Sequence, residues 1–139
     1  MNVLYTAEAT AWGGRNGRAA SSDGSLDVTL VPPKELGGTG AAGTNPEQLF
    51  AAGYAGCFHS ALTIVARGAG VPVDGSAVTA RVGLGTGDGG GFGLAVELLV
   101  EMPDVERAVA EDLVAKAHAV CPYSNATRGN IDVKLGIVD

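Results

Sequence analysis

Residues 44–67 read TNPEQLFAAGYAGCFHSALTIVAR, and the reading of this stretch decides the fold. Asn45 offers a side-chain oxygen at a helix N-cap, and Pro46 suits the first helical position, where its missing N–H would go unpaired anyway. Gln48 stands three residues after the cap, as in a capping box. The segment therefore predicts a helix from Pro46 to near Arg67. Leu49, Phe50, Tyr54, Phe58, Leu62, Ile64 and Val65 are not confined to one stripe, so this helix is expected to be covered on most sides. Gly53, Gly56 and Ser60 form a strip of small residues along which another backbone can approach closely. A chain of 139 residues has limited means of burying a helix all round, which points to a second copy of the chain.

Working outward, VLYTAEATAW (3–12), RAASS (18–22) and SLDVTLV (25–31) read as three strands, with the GGRNG turn (13–17) between the first two. PPKELGGTGAAGT (32–44) is a Pro/Gly-rich loop too long for a simple connector. After the helix, AVTARVGLG (77–85) and FGLAVELLVEM (92–102) predict a hairpin around TGDGGG (86–91). That glycine cluster is a turn and not a phosphate cradle, because no GxxxxGK[ST] pattern accompanies it. PDVERAVAEDLVAKAHAV (103–120) follows as an amphipathic helix, with Val105, Val109, Leu113 and Ala117 repeating every four residues. Pro122 ends it, a polar loop follows, and IDVKLGIV (131–138) supplies the last strand. The order βββ-α-ββ-α-β predicts an α+β fold rather than a doubly wound sheet, in a single domain over 1–139.

The totals narrow the function classes. Hydrophobic residues make up 46% of the chain, as in a globular protein, and the net charge of −6 argues against nucleic acid as a partner. Polar residues interrupt every apolar run before the 18 or so residues of a membrane span, and the N-terminus lacks the basic-then-apolar layout of a signal peptide. The expectation is a cytoplasmic protein without a membrane partner. In that compartment two cysteines read as catalytic, redox-active or simply buried, and not as a secreted disulfide scaffold.

Cys57 lies well inside the first helix, where apolar surroundings raise a thiol pKa and its own helix N-terminus is too distant to help. A reactive Cys57 needs a cation. His59 is about 200° away around the helix, and Arg67 about 15 Å along it. Arg15 and Arg18 at the first turn are cations a fold can bring in, and spacing does not choose between them. Cys121, in HAVCPYSNATRGN (118–130), stands at a helix C-terminus, where the dipole disfavours a thiolate. It suits the second step of a thiol reaction better than the first. Two other readings compete: a metal site from Cys57, His59, His118 and Cys121, weakened by the opposite helix faces of Cys57 and His59, and a non-catalytic redox sensor. His59 and His118 read as structural or surface residues.

TNPEQLFAAGYAGCFHSAL, AHAVCPYSNATRGNIDV, GGRNGRA and LGGTGAAGTNPEQ together resemble the OsmC/Ohr family, in its organic hydroperoxide resistance branch. The likeness runs from the first strand to the last and keeps both cysteine segments in order; Gly56 stands where the family often has alanine. The resemblance implies an intertwined homodimer with a buried central helix and two active sites at the subunit interface. It implies a thiol peroxidase that reduces organic hydroperoxides to alcohols, with no bound cofactor, recycled by the dihydrolipoyl dithiol of lipoylated proteins. Cys57 matches the peroxidatic cysteine, Cys121 the resolving one, and Arg15 with Glu47 the pair that organises the thiolate. Glu47 and Cys57 are ten residues apart, about 15 Å along a continuous helix, so the expectation is that Glu47 serves the site from the other subunit. Phe50, Tyr54, Phe58 and Phe92 are candidate walls for the alkyl group.

Overall fold

A computed structural model describes residues 1–139, which pack as two units, Met1–Leu49 and Phe50–Asp139. In the first, β1 (Ala9–Trp12), β2 (Gly17–Ser21) and β3 (Asp27–Leu30) form an antiparallel meander, with Trp12 opposite Arg18 and Arg18 opposite Thr29. Strand β1 is shorter than the alternation from Val3 suggests, and Val3, Leu4 and Tyr5 stand exposed ahead of it. The turn after Trp12 depends on glycine. Gly13 has φ 80°, and a Cβ on Gly17 would lie 1.8 Å from the Trp12 carbonyl oxygen. Arg15 sits at the tip of that turn.

The long Pro/Gly segment has a mechanical role. It leaves β3, makes one 3-10 turn at Lys34–Leu36, and returns beside the same strand. There Val31 N–H donates to the Thr44 carbonyl and Thr44 N–H to the Thr29 carbonyl, both at 2.9 Å. Gly43 permits the return, since a Cβ there would meet the Val31 methyls at 2.8 and 2.9 Å. Thr44 and Asn45 are thereby fixed to the sheet just where α1 (Pro46–Gly68) begins. The Gln48 N–H donates to Asn45 Oδ1 at 2.9 Å, as a cap requires. Gln48 does not close the box on Asn45; its side-chain oxygen accepts from the Thr44 hydroxyl at 2.7 Å.

In Phe50–Asp139, β4 (Ala77–Thr86) pairs antiparallel with β5 (Phe92–Glu101), and β6 (Val133–Val138) pairs parallel with β5 on its other edge. The parallel pairing requires a crossover, supplied by α2 (Arg107–Val120) and α3 (Pro122–Thr127). Val96, Leu98 and Val100 alternate onto the inner face of β5 and meet Tyr54, Phe58, Leu62 and Ala66 of α1 and Leu113, Val114 and Ala117 of α2. The strand-helix order is as expected, and α3 is the element the sequence did not suggest: six residues read as a loop form a helical turn with Ser124 and Thr127 buried.

One expectation about α1, the place of Gly53, needs correcting. Within the chain it is buried on one face only, through Tyr54, Phe58, Ala61, Leu62 and Ala66, while Ala52, Gly56, Ser60 and Ile64 lie exposed. Gly53 does not belong to that open strip: a Cβ there would stand 3.0 Å from the Tyr123 hydroxyl, whereas Gly56 faces open space. By length and composition alone α1 is also apolar enough to cross a membrane, although polar residues interrupt its apolar runs. Its buried face serves as the core of its own unit, the ordinary use of such a helix.

Candidate active site

Two pairs of candidate side chains come together, one in each unit. In Met1–Leu49 the Arg15 guanidinium meets the Glu47 carboxylate as a two-pronged fork, Nη1 to Oε2 at 2.8 Å and Nη2 to Oε1 at 2.7 Å. The fold makes this pair from the glycine-dependent turn that presents Arg15 and the returning loop that fixes the first turn of α1. The Arg15 hydrogen bonds hold the Glu47 carboxyl below the usual glutamate range, and Glu47 in turn raises Arg15. Arg18, which sequence spacing left as an equal candidate, is engaged elsewhere. Its Nε and Nη2 donate to Asp27 at 2.8 Å each, and its guanidinium stacks 5.2 Å from the Trp12 ring centre.

In Phe50–Asp139 the two thiols meet. Cys57 on α1 and Cys121 between α2 and α3 are both free, with their sulfurs 3.8 Å apart. Contact at that distance needs a contraction of about 1.8 Å to become a disulfide bond. Cys121 is fully buried and Cys57 partly exposed. Burial pushes the Cys57 thiol up from the ordinary cysteine value, opposed by the Tyr123 main-chain N–H, and the Cys121 thiol adds to the upward shift. Tyr123 is the second residue of α3, so its N–H is one of the unpaired donors at a helix start. The sequence reading missed this donor. Its signal was Cys-Pro: proline reads as a helix stop for α2 and equally as the first residue of a new helix.

Other candidates fall into place. His59 Nε2 bonds the Ser76 hydroxyl at 2.9 Å, and His118 Nδ1 bonds Ser124 Oγ at 2.8 Å, so both imidazoles have serine partners and neither bonds a sulfur. Burial and the nearby Arg128 charge lower the His118 pKa. No three His, Cys, Asp or Glu side chains converge on a point where a metal would sit. Tyr54 and Phe58 are wholly buried and belong to the core, not to a substrate wall. Phe92 is 79% exposed at the β4–β5 hairpin end. Phe50 remains as a half-buried ring, edge-on to Tyr54 at 6.2 Å and to Tyr123 at 6.3 Å between ring centres.

Comparison with known proteins gives this arrangement a context. The family model described as OsmC-like protein matches residues 38–136. The chain is 58% identical over 134 residues to the organic hydroperoxide resistance protein of Xanthomonas axonopodis pv. citri (strain 306), covering 96% of this chain and 94% of that one. It is 50% identical over 134 residues to organic hydroperoxide resistance protein OhrB of Bacillus subtilis (strain 168), covering 96% and 97%. Among solved structures, an organic hydroperoxide resistance protein from Elizabethkingia anophelis, with crystallant-derived thiocyanate bound, superposes with a TM-score of 0.94 at 52% identity, covering 100% of this chain and 99% of that one.

Proposed function

The chain belongs to the OsmC-like family, in its organic hydroperoxide resistance branch, and on that premise we propose that it is a thiol peroxidase acting on organic hydroperoxides. The observation that carries the reading is the apposition of Cys57 and Cys121 at 3.8 Å, one partly exposed and one buried, from elements 64 residues apart. Cys57 is the peroxidatic thiolate: it attacks the distal peroxide oxygen, the O–O bond breaks, one proton is taken up, and the alcohol leaves, with Cys57 oxidised to a sulfenic acid. The Cys121 sulfur then displaces water from that sulfur to give the Cys57–Cys121 disulfide. A dihydrolipoyl dithiol of a lipoylated protein reopens it by exchange, and is itself oxidised to the cyclic disulfide. No bound cofactor enters the cycle.

Because burial raises the Cys57 pKa, the Tyr123 N–H is joined in our scheme by the Arg15 guanidinium, which stabilises both the thiolate and the charge developing on the peroxide oxygens. Glu47 fixes that guanidinium in plane through its two short bonds. Ten residues of helix separate Glu47 from Cys57, a rise of about 15 Å, so we assign the Arg15–Glu47 fork to the Cys57 of a partner subunit in a homodimer. The exposed strip of Gly56, Ser60 and Ile64 on α1 and the exposed Leu4 and Tyr5 support such a pairing. The Phe50 and Tyr123 rings offer apolar contact for the alkyl group, worth about 0.8 kcal/mol per buried methylene and absent with hydrogen peroxide. Two free thiols suit the reducing cytoplasm.

The test is turnover of cumene hydroperoxide with dihydrolipoamide. Continuous consumption supports the peroxidase, and a single stoichiometric burst with no cycling would identify a redox sensor instead. Light scattering at working concentration checks the homodimer, and a monomer that retained full activity would remove the cross-subunit assignment.

A further inference from the structure

Residues 118–130 contribute more than Cys121 to this structure. Ser124 and Tyr54 are wholly buried and Thr127 nearly so, yet each hydroxyl is bonded, and the bonds cross between helices. Tyr54 Oη lies 2.9 Å from Ser124 Oγ and 3.2 Å from Thr127 Oγ1, while Ser124 Oγ lies 2.8 Å from His118 Nδ1. The Thr127 hydroxyl donates to the Ser124 carbonyl at 3.1 Å. A hydroxyl has one proton to give, and this fixes the direction of the chain. With its proton committed to Ser124 C=O, Thr127 accepts from Tyr54. Tyr54 then accepts from Ser124, and Ser124 accepts from an Nδ1–H on His118. Only this arrangement makes all four contacts hydrogen bonds, and it names the His118 tautomer.

The chain ties three pieces of backbone that all bear on the sulfurs. Tyr54 stands three residues before Cys57 on α1, His118 three residues before Cys121 on α2, and Ser124 immediately follows Tyr123 on α3. Between α2 and α3 the backbone turns extended at Cys121, with φ −64° and ψ 124°, so helical hydrogen bonding does not by itself set how α3 lies against α1. We propose that Tyr54, Ser124 and His118 are positioning residues: their hydrogen-bond chain clamps α3 to α1 so that the Cys121 sulfur stays on Cys57. None of the three hydrogen-bonds to either sulfur. The inference rests on the reading of Cys57 and Cys121 as a peroxidatic and resolving pair.

The test separates the two steps in the whole protein. One equivalent of cumene hydroperoxide is added to reduced protein, and quenched samples are followed by mass spectrometry for Cys57 sulfenic acid and for the Cys57–Cys121 disulfide. Tyr54→Phe removes only the hydroxyl, and His118→Leu removes the terminal donor. Both are expected to slow disulfide closure about ten- to a hundredfold, the scale of a misplacement near 1 Å. His118→Asn places an amide N–H close to the lost Nδ1–H and is expected to restore closure to within about threefold of the parent, which a purely packing role for the imidazole does not predict. Nitrogen NMR of the parent at neutral pH is expected to show His118 protonated on Nδ1. Unchanged closure in folded Tyr54→Phe and His118→Leu, or an Nε2–H tautomer in the parent, overturns the clamp. If the parent itself forms no Cys57–Cys121 disulfide, the peroxidase reading fails instead, and the two failures are told apart.

Discussion

Gly53→Ala probes how firmly α3 rests on α1. Glycine inside a helix costs about 1 kcal/mol relative to alanine, so on propensity alone the substitution stabilises. Against this, the new Cβ would stand 3.0 Å from the Tyr123 hydroxyl oxygen, 3.3 Å from Cε2 and 3.5 Å from Cζ. Comfortable separations between such atoms are about 3.5–4.0 Å, so the ring end has to retreat by about half an ångström. Tyr123 is 39% exposed, and its ring has room to swing while its backbone stays held through the neighbouring Ser124. A side chain turned off its preferred rotamer costs about 0.5–1.5 kcal/mol, close to the helical gain. The expected outcome is a stability within about 0.5 kcal/mol of the parent by urea unfolding, and an iodoacetamide rate at Cys57 within about twofold, because the Tyr123 N–H has not moved. A loss above about 1.5 kcal/mol, with a large change in Cys57 alkylation, would show that the ring cannot move without the α3 backbone and would refute the independence of the Tyr123 ring from its N–H.

Cys57→Ser should abolish peroxide consumption, whereas Cys121→Ser should give one turnover and then an overoxidised Cys57 by mass spectrometry; oxidation of Cys121 first would reverse the two roles. Arg15→Ala should move the pH profile of Cys57 alkylation upward, because burial raises this thiol and the proposed counter-cation is gone; an unchanged profile would remove Arg15 from the site. The depressed Glu47 pKa means the fork stabilises the fold fully above the ordinary glutamate range and that this share is lost as pH falls through the lower folded value. Glu47→Gln should therefore flatten the acid limb of a stability-against-pH curve, and an acid limb identical to that of the parent would count against the fork. Phe58→Ala, at a wholly buried core position on α1, should cost about 3–5 kcal/mol in urea unfolding, and a loss below about 1 kcal/mol would contradict the core placement.

The strand-and-helix order was legible because the hydrophobic period changes clearly along the chain. Val96, Leu98 and Val100 alternate, while Val105, Val109, Leu113 and Ala117 recur every four residues. Helix α3 was not legible for a physical reason. PYSNAT is short and offers no apolar stripe, since what it buries are two hydroxyls that pay their desolvation through Tyr54. The covering of α1 was legible only in part, because a sequence apolar on every side does not say which faces its own chain fills. Arg15 and Arg18 could not be ranked by spacing. The sheet register sets Arg18 opposite Thr29, with Asp27 diagonally adjacent and in reach of its guanidinium, and so engages Arg18 away from Glu47. The meeting of Cys57 and Cys121 came from the family resemblance, since no local rule links residues 64 positions apart.

The α2–α3 junction also revises the electrostatic argument that ordered the thiols. Read alone, the C-terminus of α2 makes Cys121 a poor thiolate, and the interior of α1 makes Cys57 no better. In the fold Cys121 is at once the residue after α2 and the residue before α3, so a helix end of each sign meets there. The first available N–H of α3 belongs to Tyr123, and it opposes the upward shift of the Cys57 thiol. The same proline that ends one helix thus begins another whose start favours negative charge on the opposite sulfur. Exposure points the same way in the proposed cycle, because Cys57 is partly exposed and Cys121 is buried. Under the proposed peroxidase reading, the order of the two steps follows from where α3 starts and from the exposure of Cys57 against the burial of Cys121.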